Sequence, residues 1–194
     1  MKTALPRGLV PAVVALLAAG GFSAWSGENG EFIFYLAVMV LLVGLMFLVH
    51  RRVGLHALTL WGLAGWLAAH LAGGLWPVDG FGVLYNWRPS PDLPKYDQLV
   101  HAYGFGLCTW IWWQVLQRVA PGTPASFGML FLCGAAAMGL GALNEVVEFA
   151  ATLLIPETNV GGYLNTGWDL VSNGVGCVLA ALLIAWRVRR PGGA

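Results

Sequence analysis

The sequence predicts an all-α fold: a polytopic membrane helix bundle of about six transmembrane helices, with the N and C termini both cytoplasmic. Three observations predict it. Hydrophobic residues make up 58% of the 194 and charged residues 10%, against a charged fraction of about 25% in soluble domains. Six apolar stretches approach or exceed the roughly 20 residues that about 30 Å of hydrocarbon requires. Basic residues gather on alternate connections, as the positive-inside rule demands, and the opposite side receives only Arg88 and Lys95. The length suits a single transmembrane domain over 1–194. Composition makes the lipid bilayer the first partner, and the near-neutral net charge of +1 argues against nucleic acid.

The spans are expected over 9–26, 32–50, 54–76, 98–118, 124–155 and 167–187. Lys2 and Arg7 precede the first, whose alternative reading is a cleaved signal peptide ending near "GFSA". Arg51 and Arg52 join the second to the third, with His50 and His56 beside them at the same rim. His70 lies near the outer end of the third span, and 77–97, "PVDGFGVLYNWRPSPDLPKYD", forms a long outer loop and candidate lid over what lies beneath. Arg118 separates the fourth span from the fifth, and Arg187, Arg189 and Arg190 follow the sixth. These basic residues place a multi-pass protein in the cell membrane, the inner membrane where there are two. Every acidic residue then falls in an outer connection or near an outer span end.

That distribution raises the question of "NEVVEF", residues 144–149, where Glu145 and Glu148 follow a long apolar run. A carboxylate deep in hydrocarbon costs about 2.5–3.5 kcal/mol on insertion scales, so it needs a partner, water or a proton. The fourth span enters from outside with Asp97 at its mouth and His101 about 6 Å deeper. The fifth rises from Pro124 and reaches Glu145 after about 31 Å and Glu148 after about 36 Å. The sixth descends with Asp169 at its mouth and Asn173 one turn on. Asp97/His101, Asn144/Glu148, Glu145/Glu148 and Asp169/Asn173 all have the i,i+3 or i,i+4 spacing that shares a helix face. Asp97, His101, Glu145, Glu148, Asp169 and Asn173, with His70, are therefore expected to converge on one outward-facing depth.

"YDQLVHAYG" and "WDLVSNGVG" echo one another: an aromatic, Asp, three residues, His or Asn, two residues, Gly. Both motifs enter the membrane from one side, so parallel repeats could be involved. Small residues four apart, Gly65/Ala69/Gly73, Ala137/Gly141 and Gly176/Ala180, invite close helix approach. Cys108, Cys133 and Cys177 read as small apolar fillers. Several of the ten tryptophans belong to an aromatic belt at the membrane boundaries.

Taken in order, "LYNW…KYDQLVHAYGFG", "NEVVEF" and "WDLVSNGVGCVLAALL" resemble the YjdF-like branch of the VanZ-like membrane proteins over roughly residues 54–187. The resemblance implies an Asp-x-x-x-His span, an acid-bearing span and an Asp-x-x-x-Asn-x-x-Gly span. It associates the wider group with low-level teicoplanin resistance. Where many VanZ-like sequences carry an amide after the glutamate, this chain has Glu148, so the glycopeptide role does not transfer directly and a cation or shared proton gains weight.

Several functions use these residues. Paired carboxylates shielded from water cannot all ionise, so a proton is retained or a cation neutralises them. A cluster that binds an envelope amphiphile, or that stabilises an assembly with a membrane-protein partner, is the first reading. A membrane-embedded hydrolase or transferase acting on a lipid head group is the second, with Glu145 or Glu148 as base and His101 as acid or ligand. A proton- or cation-coupled transporter is the third. A divalent metal held by His101, Glu148, Asp169 and His70 has an acceptable donor set but no HExxH-like spacing.

Overall fold

The computed structural model describes residues 4–189; Lys2 and Arg190, both used for the expected orientation, lie outside them. Among the described residues are six α-helices: α1 Leu9–Ser26, α2 Gly30–Val53, α3 Ala57–Leu75, α4 Tyr96–Val119, α5 Phe127–Leu154 and α6 Gly162–Val188. All but α4 are long and apolar enough to cross a membrane. α4 has the length, but Asp97, Gln98, His101, Gln114, Gln117 and Arg118 fall within its 24 residues and lower its hydropathy.

The loop after α3 is not featureless. Pro77 pairs with Val83 and Val78 with Gly82 in a two-residue antiparallel ribbon, β1 and β2, followed by a 3-10 turn at Leu84–Asn86. Gly80 and Gly82 supply the left-handed φ values, 77° and 79°, that so tight a reversal needs.

The chain forms two compact units. The first comprises the residues up to Val100 together with Val147–Val160. Here α1 packs on α2 and α3 around Ala24, Phe32, Leu67 and Leu71. Asn29 caps α2 by accepting a hydrogen bond from the Phe32 amide at 2.9 Å, and Gly54 ends it at φ 80°. A methyl group on Gly74 would lie 1.7 Å from the Phe32 ring, so the aromatic ring rests directly on the α3 backbone. Leu41 is 73% exposed, and Val40, Leu45 and Leu48 on the same helix are exposed with it, a surface for lipid rather than water.

The second unit comprises His101–Val146 and the residues from Gly161 on. Trp113, Leu130, Cys133 and Ile184, from α4, α5 and α6, form its apolar core. His101 meets Asn173, and the Cys177 thiol reaches the Phe105 carbonyl at 3.6 Å; both pairs are 72 residues apart, so α4 and α6 run parallel. They come very close. A Cβ on Gly176 would lie 1.9 Å from the Ala102 carbonyl oxygen, and one on Gly106 2.9 Å from the Gly176 carbonyl oxygen. Only glycine at 176 permits that approach.

Candidate functional site

The second unit gathers four of the expected polar residues from three helices. His101 stands on α4, Glu145 on α5, and Asp169 and Asn173 on α6; none is more than 9% exposed. The imidazole Nδ1 of His101 lies 3.0 Å from Asn173 Oδ1 and 3.8 Å from Glu145 Oε1. A carbonyl oxygen only accepts, so Nδ1 is the donor in this contact, and in the neutral ring the lone pair lies on Nε2. His101 and Asp169 each offer a ligand atom within 4.8 Å of the other.

Local structure explains why these side chains are held. The crossing at Gly176 brings α6 against α4 one turn from Asn173. On α5, Gly141 leaves room for the Asn173 amide, because a Cβ there would sit 2.6 Å from Asn173 Nδ2. That Nδ2 makes no hydrogen bond among the described residues, although Asn173 is fully buried. Asn165 Nδ2 donates to Asp169 Oδ2 from one turn earlier. α6 was expected from 167 but begins at Gly162, and the added turn carries Asn165. Sequence reasoning missed this residue, although its i,i+4 spacing to Asp169 was available as a signal.

The other expected residues belong to the first unit. Asp97 lies in the first turn of α4, four residues before His101, and Glu148 lies one turn beyond Glu145 on α5. The Lys95 amide donates to Gln98 Oε1 at 2.9 Å, which fixes the start of α4 at Asp97's own turn. His70 on α3 is engaged through Nδ1 by the Tyr85 hydroxyl, and that hydroxyl also donates to the His70 carbonyl at 3.1 Å. Tyr96 donates to the Ala69 carbonyl at 3.2 Å, so two tyrosines pin the loop and the α4 start to the end of α3. Burial first, then the carboxylates of Asp97 and Glu148, push the Tyr85 phenol well above its ordinary pKa. No periodicity pointed to Tyr85, since its partner comes from a loop folding back.

The first unit also holds a buried carboxylate of another kind. Glu31, in the first turn of α2, accepts the Asn159 backbone N–H at 3.0 Å and its side-chain amide at 2.8 Å. The expected fillers Cys108, Cys133 and Cys177 are buried free thiols.

Comparison with known proteins gives the membrane class and no activity. The family described as "Predicted membrane protein (DUF2238)" matches residues 6–190. No curated protein and no solved structure matches the chain. The chain belongs to the DUF2238 family of predicted membrane proteins.

Proposed function

We propose that this membrane protein binds the polar head group of an envelope amphiphile at an outward-facing cluster centred on His101, Glu145, Asp169 and Asn173. The reading takes the cell membrane as the location, both termini as cytoplasmic, and a likeness to the YjdF-like branch of the VanZ-like proteins. One observation carries it. Two carboxyl groups, an imidazole and an amide on three helices lie buried together, with His101 3.0 Å from Asn173 and 3.8 Å from Glu145. Intramembrane ionisable residues are costly and tend to mark ligand or ion sites.

The proximity of His101 and Glu145 favours one further reading, a membrane-embedded acid–base hydrolase or transferase acting on a lipid head group. A carboxylate beside an imidazole is the pairing such proton transfer uses.

Lipid mass spectrometry on purified protein tests the binding reading. The wild type is expected to retain a specific envelope amphiphile that His101→Gln and Glu145→Gln variants lose while remaining monodisperse. Identical lipid profiles in wild type and variants would refute it. Accumulation of an uncleaved lipid species in cells carrying either variant would turn the reading toward the enzyme.

A further inference from the structure

Charge sets a condition on any ligand of this cluster. Glu145 and Asp169 are acids, and His101 donates Nδ1–H to Asn173 in its neutral form. The described basic residues of the second unit, Arg118, Arg187 and Arg189, lie near the far ends of α4 and α6. Arg118 is 17 residues from His101, about 25 Å along the helix. Among the described residues of the second unit, a phosphate head group arriving here would meet carboxylates and no adjacent cation.

We propose that the second unit holds a divalent transition-metal ion on His101 and Asp169, and that this ion is what receives a phosphate-bearing head group. The inference rests on the head-group reading above and names the chemical class of its ligand.

Three observations support it. The ligand atoms of His101 and Asp169 lie within 4.8 Å of one another. Zinc bonds of about 2.0–2.2 Å to each would need a separation of at most about 4.4 Å, so a small side-chain movement closes the pair on one ion. The Asn173 contact holds the imidazole by its Nδ1–H, and in the neutral ring the lone pair then lies on Nε2. Metal-binding histidines are typically held in this way by a hydrogen bond at the other ring nitrogen. Independently, the fully buried Asn173 Nδ2 makes no hydrogen bond among the described residues, and it is a donor beside the imidazole. An oxygen brought by a metal-bound phosphate or water satisfies it.

The donor set is mixed. Imidazole suits zinc, copper, iron and nickel, whereas carboxylates also accept manganese and magnesium. Glu145, on the Nδ1 side of the ring, adds negative charge that holds a cation without needing to ligate it.

The full chain, purified in detergent without chelator and then equilibrated with zinc or manganese chloride, is measured by elemental mass spectrometry. About one equivalent per chain is expected, falling to background in Asp169→Asn and His101→Gln. Asn173→Ala is expected to weaken metal affinity about 10- to 100-fold, and Asn173→Asp, which keeps an acceptor for Nδ1–H, to weaken it less. Binding of dihexanoyl phosphatidic acid to the wild type, with and without EDTA, gives a readout that does not depend on the folding of any variant. Loss of this binding in EDTA and its return with added zinc or manganese support the inference. Absence of bound metal in the wild type overturns it, as does phosphatidic acid binding unchanged by EDTA; that second result leaves the head-group reading intact. Metal retained by Asp169→Asn and His101→Gln overturns the assignment of ligands. Metal bound by the wild type, with neither phosphatidic acid nor a co-purified amphiphile retained, refutes the head-group reading and the ion's phosphate role together.

Discussion

The two units bury polar groups for different ends. In the first, Glu31 and Tyr85 hold connecting segments: Glu31 takes the backbone and side-chain N–H groups of Asn159, and Tyr85 caps the end of α3 at His70. In the second, His101, Glu145, Asp169 and Asn173 face one another from three helices. Side chains that bond to backbone at segment ends fasten loops. The side chains that meet from three helices in the second unit form the proposed site.

The largest expected effect breaks the second unit at its closest approach. Gly176→Ala places a methyl group 1.9 Å from the Ala102 carbonyl oxygen, a backbone atom that cannot swing aside. Overpacking typically costs about 1–3 kcal/mol, and a backbone clash belongs at or above the upper end. Unfolding in SDS, followed by tryptophan fluorescence, should show a loss of about 3 kcal/mol together with loss of the co-purified amphiphile. A variant of wild-type stability would mean that α4 and α6 do not cross as closely as described.

Much of this second unit was legible in the sequence, for a physical reason. The echo of "YDQLVHAYG" in "WDLVSNGVG" pointed to two spans running the same way, and α4 and α6 do run parallel, with the motif's His101 and Asn173 bonded. Apolar length located the helices, but their ends moved wherever polar residues continue a helix. α6 gained the turn bearing Asn165, and α2 runs Gly30–Val53 where 32–50 was expected. Gly106 and Ala102 escaped notice because close approach depends on which helices become neighbours. The His70–Tyr85 and Glu31–Asn159 bonds were illegible for the same reason: one spans 15 residues and the other 128, and each requires a connection to fold back.

Glu31→Ala sharpens the contrast from the other side. It leaves the Asn159 N–H groups without their carboxylate, a loss of about 1–3 kcal/mol where the groups stay buried. The segment 155–161 should become cleavable by protease while amphiphile retention in the second unit is unchanged. Parallel loss of the amphiphile would show that this clasp also serves the site.

Tyr85→Phe is expected to cost less, about 1 kcal/mol for one hydrogen bond, and it carries a pH signature. Burial and the nearby carboxylates raise the phenol's pKa in the folded protein. Unfolded chains therefore ionise Tyr85 first, near the ordinary value of about 10. Its stabilising contribution is complete below about pH 10 and declines as pH rises from there through the folded value. Ultraviolet titration should show one phenol resisting ionisation beyond the others, absent in Tyr85→Phe. If the wild type and the variant lose stability equally in alkali, the phenol is not buried beside those acids.

The smallest effect tests what surrounds the first unit. Leu41 is 73% exposed on α2, whereas Phe32, on the same helix, is 2% exposed against α3. Hydrocarbon chains solvate a lipid-facing leucine as well as they solvate alanine's neighbours, so removing it creates no cavity and transfers nothing to water. Leu41→Ala is therefore expected to change SDS unfolding by less than about 0.5 kcal/mol, as remote surface changes do. A larger loss, or a change in the particle size measured by light scattering, would mean that protein and not lipid covers this face. The buried polar groups of the first unit would then fasten an interface as well as loops, and the division of labour between the two units would fail at that point.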